Sequence, residues 1–225
     1  MRNGQAAKAA TPSSGGTKGA LPVVLLRPLA ITLLIGLVVA STWLLLRPDG
    51  DGPLGRVADA AIGSGIGLEV DFDLVDHNGQ PASLGDFQGT PLLVVFGYTS
   101  CPDVCPTVLS HLAELLDDLE REGVTATGAF ITIDPARDTP EVLSDYVRAF
   151  HSRLHGLTGD EQSLKAATGS FRVFFEKVGE DSEDYLMNHS AYLYLLGPQG
   201  RVLSYYHPDL EPAALLADVR GRLGQ

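Results

Sequence analysis

PLLVVFGYTSCPDVCPTVLSHLAELLDDLERE, residues 91–122, decides how the chain folds. Its first eight residues, Pro91 to Tyr98, form a short apolar run of the kind that fills a buried strand. The second half reads differently. Val108, Leu109, Leu112, Leu115, Leu116 and Leu119 recur at helical spacing, which predicts a helix over Pro106–Glu122 with one apolar face. Between the two lie Cys101 and Cys105, the only cysteines of the chain. A disulfide-stapled scaffold needs more of them, spread along the sequence, and a loop this short restrains a fold very little. Ligands and reactive groups of α/β sheets collect outside the carboxyl ends of strands, where this turn falls. With Val104 and Cys105 already helical, the i and i+4 spacing brings both sulfurs to one side. Cys105, near the helix start, is expected to feel the dipole and to have a lowered thiol pKa. Two adjacent soft ligands select soft metals, Cu(I) above all, and can equally close as a disulfide. A bare CxxxC also arises by chance, so incidental thiols or an inert bridge remain open readings.

Working outward, LEVDFDLV (68–75) alternates apolar and polar residues before the turn Asp76-His77-Asn78-Gly79, a strong hairpin signal. After the long helix come a strand at TATGAFITID (125–134) and a helix opened by Thr139 as cap and Pro140 at its first position, running to about Phe150. A short strand near Leu154–Leu157, a helix near Asp160–Thr168 and a strand at RVFFEKVG (172–179) follow. EDSEDYLMNHS (180–190) reads as an acidic loop, leading to strands AYLYLLG (191–197) and RVLSYYH (201–207) and a last helix from about Glu211. This order predicts an α/β sandwich with a mixed β-sheet and an N-terminal β-hairpin.

The start of the chain is of another kind. Residues 1–21, rich in Ala, Gly, Ser and Thr, are expected to be disordered. Leu29 to Leu46 is an 18-residue uncharged run, and taken back to Pro22 it is long enough to cross a bilayer, with Arg27 near the inner end and Trp43 near the outer. The run exceeds a signal-peptide core and resumes after Ala40-Ser41, which favours an uncleaved transmembrane anchor over 22–46. Residues 47–66 read as a flexible tether and 67–225 as the folded domain. Arg2, Lys8, Lys18 and Arg27 precede position 47, and all 28 acidic residues follow it. The positive-inside rule then leaves the N-terminus cytoplasmic and the domain periplasmic or otherwise extracytoplasmic, on a single-pass inner-membrane protein. From Arg47 onward 12 basic residues face 28 acidic ones, a formal charge of −16 that repels a phosphate backbone and argues against nucleic acid as a partner.

Four motifs in one collinear order, GYTSCPDVCPTVL (97–109), ITIDPARDTPEVLSDYVRAFH (131–151), GLTG (156–159) and NHSAYLYLLGPQGRV (188–202), resemble the Sco/SenC family. The resemblance covers most of residues 68–222 and implies a thioredoxin-like fold. It further implies one copper ion, Cu(I) or Cu(II), held by Cys101, Cys105 and a distant histidine. Asn188-His189-Ser190-Ala191-Tyr192 is similar to the family's Asp-His-Thr-Ala-Tyr segment, which makes His189 the third ligand. The implied activity is that of a copper metallochaperone, fed by a copper donor protein and assisting the copper centre of cytochrome c oxidase subunit II. The competing reading is a thiol–disulfide reductase, with Cys101 and Cys105 as the redox pair, that keeps the subunit II cysteines reduced. CxxxC spacing, and Asn-His-Ser where thioredoxin-like reductases place a cis-proline, weigh against a general reductase. Ser100 departs from relatives that carry histidine or lysine there.

The remaining candidates read as structural. His77 is expected to be exposed in the hairpin turn, His111 lies on the helix surface about 120° from Cys105, and His151, His155 and His207 lack a partner pattern. Asp134 closes a strand expected beside the cysteine strand, which would bring its carboxylate near the metal, and the segment it lies in resembles one that borders the family's site. The favoured readings are a turn residue before Pro135 and, for Asp138, a cap of the next helix. Met187 reads as loop filling beside His189.

Overall fold

In a computed structural model of the chain, the described residues are 32–38, 40–42, 62–64, 68–179 and 185–224. Residues 32–38 and 40–42 are helical. The rest of the anchor read over 22–46, and all of the segment read as disordered over 1–21, lie outside the described residues. No described helix is long and apolar enough to cross a membrane.

Ten strands, four α-helices and one short 3-10 turn make up the described part of the domain. The strands are β1 (Ile62–Ser64), β2 (Asp73–Asp76), β3 (Pro81–Ser83), β4 (Leu92–Gly97), β5 (Thr127–Thr132), β6 (Leu154–Thr158), β7 (Phe175–Val178), β8 (Leu186–His189), β9 (Leu193–Leu196) and β10 (Val202–Tyr206). The helices are α1 (Val104–Arg121), α2 (Pro140–Arg148), α3 (Glu161–Ser170) and α4 (Pro212–Leu223). Eight strands form one mixed sheet in the order β1-β10-β9-β4-β5-β6-β2-β3, parallel across β4-β5-β6 and antiparallel elsewhere. β7 and β8 pair separately as an antiparallel two-stranded ribbon.

The central strand explains the layering. All six residues of β4 are buried, and their alternation sends Leu92, Val94 and Phe96 into one core and Leu93 and Val95 into another. On the second face lie the apolar sides of α1, α2 and α4, through Leu109, Leu112, Leu143, Val147, Leu215 and Val219. The first face is covered by α3 through Leu164 and Ala167 and by Phe72 and Leu74 of the hairpin. Helices on both faces of a largely buried sheet are the sandwich that the pattern of elements predicts.

Local chemistry starts α2 and α3 where expected, whereas two strands are exceptions that fall in stretches read as tether and loop. The Thr139 hydroxyl accepts from the Val142 N–H and Pro140 follows it, so α2 begins at the predicted cap. Asp160 caps α3 by accepting from the Ser163 N–H. In the β2–β3 turn the Asp76 carboxylate accepts from the Asn78 and Gln80 N–H groups, and Gly79 supplies the positive φ of 77°. The first exception is β1, which falls inside the stretch read as a tether and pairs antiparallel with β10. The second is β8, which falls inside the stretch read as a loop. His77 also departs from its reading. Its Nδ1 accepts from the Gly156 N–H, and its ring lies edge-on to His155, so the turn is anchored to β6 through an imidazole that is only partly exposed.

Candidate metal centre

β4 ends at Gly97, and the next six residues turn the chain into α1 at Val104, two residues earlier than the spacing of leucines predicts. That early start puts Cys105 inside the first turn of α1, while Cys101 remains in the loop. β9 lies beside β4 on its other edge, and the ribbon strand β8 leads into it. The His189 side chain, at the last residue of β8, is thereby delivered to the carboxyl end of β4. Cys101 Sγ, Cys105 Sγ and one ring nitrogen of His189 lie within 4.8 Å of one another. Cys105 Sγ and His189 Nε2 are 3.8 Å apart. Sequence separation is 84 residues, so only the fold makes this a site.

The three groups differ in depth. Cys105 is buried at 2% exposure, and Cys101 and His189 are partly exposed. Burial pushes the Cys105 thiol far above the usual thiol range, the neighbouring Cys101 adds to the rise, and a backbone hydrogen bond at Tyr98 opposes it. The lowering expected from the helix dipole is overruled, because loss of solvent outweighs the partial charge of one helix end. For His189, burial lowers the pKa below the ordinary 6.5 and the Ser190 carbonyl opposes that, leaving a neutral imidazole at pH 7. Its Nδ1 lies 3.1 Å from the Ser190 carbonyl, which can only accept, so the ring proton sits on Nδ1 and the Nε2 lone pair faces Cys105. Two sulfurs and one bare imidazole nitrogen, converging on one spot, fit a soft ion of low coordination number.

The turn is held by a carboxylate whose sequence reading was different. Asp138 does not cap α2, since Thr139 takes that position. Instead it is fully buried and accepts from the Thr99 N–H at 3.0 Å, the Thr99 hydroxyl at 2.5 Å and the Thr132 hydroxyl at 2.6 Å. Burial raises its pKa, against those hydrogen bonds, which pull it down. Asp138 therefore ties the cysteine turn to the end of β5. Asp134 is likewise more than a turn residue. Only 3% exposed, it accepts from Arg137 Nε and from the Tyr185 hydroxyl, each at 2.5 Å. Tyr98 lies edge-on to the His189 ring, at 6.0 Å between centroids, and receives a backbone hydrogen bond from Met187. Met187 packs against the core beneath the ribbon, in line with its reading as filling.

Gly97 has its own role. A Cβ on it would lie 2.7 Å from Cys105 Sγ and 2.8 Å from Phe130 Cε2, so only glycine leaves room for the buried sulfur. The other histidines stay outside the site. His151 pairs with Asp117, His207 with Asp209, and His111 lines a small cleft with Val108, Tyr206 and Leu210. Gly97, Thr99 and Thr132 lie inside the quoted motifs and Tyr185 just before one, but no hydrophobic period or spacing marks them as supporting residues.

A thioredoxin-like sheet with two thiols and an imidazole gathered at the end of its central strand defines a metal-binding protein of the thioredoxin-like class. Comparison with known proteins narrows this further. The SCO1/SenC family model matches residues 64–224, and the chain belongs to that family. A SCO2-like protein of Rickettsia felis is 37% identical over 195 residues, covering 86% of this chain and 94% of its own length. The human protein "SCO2 homolog, mitochondrial" is 38% identical over 181 residues, covering 79% of this chain and 68% of its own. Among solved structures, Arabidopsis thaliana ScoI with copper bound superimposes with a TM-score of 0.67 at 33% identity, over 70% of this chain and 99% of that one. Yeast Sco1 with copper bound gives 0.66 at 32% identity, over 70% and 89%. BsSco, described as a member of the Sco family of cytochrome c oxidase assembly proteins and as having a disulfide switch, gives 0.55 at 26% identity, over 70% and 93%.

Proposed function

We propose that the chain is a copper metallochaperone that holds one copper ion through Cys101, Cys105 and His189 and passes it to the copper centre of cytochrome c oxidase subunit II. The convergence of the two sulfurs and the imidazole nitrogen within 4.8 Å carries this reading. Membership in the SCO1/SenC family, and relatives described as copper-bound, support it. A copper ion would be held by thiolates, with His189 Nε2 completing a three-coordinate site. This chain's residues do the rest: Ser190 orients the imidazole and Gly97 seats the Cys105 sulfur. The uncharged run within 22–46 anchors the protein in the inner membrane with its domain on the extracytoplasmic side, where the receiving oxidase subunit and a copper donor protein meet it.

The test is anaerobic Cu(I) loading of the full 225-residue chain, followed by metal analysis and X-ray absorption. One copper per chain with two sulfurs and one nitrogen is expected. Stoichiometric copper retained by each of Cys101→Ala, Cys105→Ala and His189→Ala defeats the reading. Loading also has a predictable pH dependence. The buried Cys105 thiol keeps its proton through neutral pH, and copper must expel it, so affinity should rise as pH rises, by about tenfold per pH unit for each proton displaced. Titrating the same preparation at pH 6 and pH 8 checks the sign; equal affinity would mean that no thiol proton is lost.

The closeness of the two sulfurs also allows them to join, which keeps a specialised thiol–disulfide reductase as a second reading. Turnover of an oxidase-derived cystine peptide by a chain that binds no copper would favour it.

A further inference from the structure

His189 stands outside the main sheet. It ends β8, a four-residue strand paired with β7, and Leu186 and Asn188 of that strand are exposed. A two-stranded ribbon with so little burial is barely stable alone, so the place of the imidazole depends on what ties the ribbon down. One tie is built at Tyr185, the residue just before β8. Its hydroxyl donates to Asp134 Oδ1 at 2.5 Å, its carbonyl accepts from an Arg137 amino group at 3.0 Å, and its ring lies under the Arg137 guanidinium at 3.7 Å from the centroid. Arg137 Nε in turn donates to Asp134 Oδ2 at 2.5 Å, and Asp134 is buried where β5 runs into the turn before α2. One residue is thus gripped by hydroxyl, carbonyl and ring, from a rigid part of the domain.

We propose that Asp134, Arg137 and Tyr185 form a positioning clamp that sets β8 so that the His189 imidazole stays over the two thiols before any metal arrives. The clamp rests on the copper reading for its purpose, but its existence is a property of the metal-free chain. A planar guanidinium is needed, because only it can stack on the ring while donating to a carboxylate and a carbonyl. Tyr185→Phe removes the hydroxyl bond and keeps the stack; Arg137→Lys keeps the charge and loses the stack and the fork.

Two measurements on the full 225-residue chain test this. In the metal-free chain, amide exchange at residues 186–189 should quicken by about tenfold or more in both variants, with β4 and β5 amides unchanged. Cu(I) affinity should fall roughly tenfold to a hundredfold. In a His189→Ala background the same substitutions should leave the remaining affinity unchanged, because the clamp acts only through the imidazole. Unaltered exchange, or an equal loss of affinity with and without His189, overturns the clamp. If the native chain takes up no copper, the metal reading fails and the exchange measurement still decides the clamp. Tyr185→Phe changes one oxygen atom, and so carries the test if the arginine variant does not fold.

Discussion

Gly97→Ala is expected to lower Cu(I) affinity by more than about tenfold. The added methyl would lie 2.7 Å from Cys105 Sγ, 2.8 Å from Phe130 Cε2 and 3.1 Å from its Cζ, and none of these can retreat into solvent. Phe130 is fully buried between β4, β6 and α2, and Cys105 is fixed in the first turn of α1. The sulfur must turn away from its two partners or the helix must lift. Overpacking of this kind costs about 1–3 kcal/mol in stability as well. Gly128→Ala separates the two effects. Its Cβ would meet Leu154 Cδ1 at 2.8 Å, at the opposite end of β5 from the site, so it should destabilise comparably and spare the metal. Chemical denaturation and copper competition on both variants are the measurements. Equal copper affinities would show that the close approach at Gly97 does not seat the sulfur.

Asp138→Ala is expected to destabilise the metal-free chain by roughly 3 kcal/mol. The loss is large because the carboxylate is the acceptor for the Thr99 N–H, the Thr99 hydroxyl and the Thr132 hydroxyl, and water cannot replace it at a fully buried position. Asp138→Asn should cost less, since its carbonyl still accepts from a hydroxyl while its amino group faces donors. The cysteine turn loses its tie to β5 in the alanine variant and part of it in the asparagine variant, so Cys101 should react faster with a thiol reagent, most in the alanine variant. A change in stability below about 1 kcal/mol with unchanged Cys101 reactivity would mean that the turn is held by other contacts.

The elements that the sequence displays well are those whose side chains repeat with a period. β4, with five buried apolar side chains in a row, and α1, with its leucine face, are visible at once. β8 is hidden because Leu186-Met187-Asn188-His189 alternates weakly, follows an acidic run and is stabilised by ties to distant residues. β1 is hidden because Ile62-Gly63-Ser64 carries no pattern, and only the edge of β10 makes it a strand. At the centre, the two cysteines were visible from position alone, whereas His189 was legible only through the resemblance of its neighbours to those of a known family. Depth was not legible. The spacing places Cys105 at a helix start but does not show that the sulfur is shut away from solvent, and that reverses the sign of its pKa shift. Asp138 and Thr139 are adjacent, each able to cap a helix, and only the path of the backbone decides which does.

The unequal depth of the two sulfurs imposes a sequence of events on whatever passes through this centre. An approaching thiolate from another protein can touch Cys101, but the wall of β4 and α1 shields Cys105 from such an attack. On the proposed copper reading, an incoming thiolate would meet Cys101 first and Cys105 last.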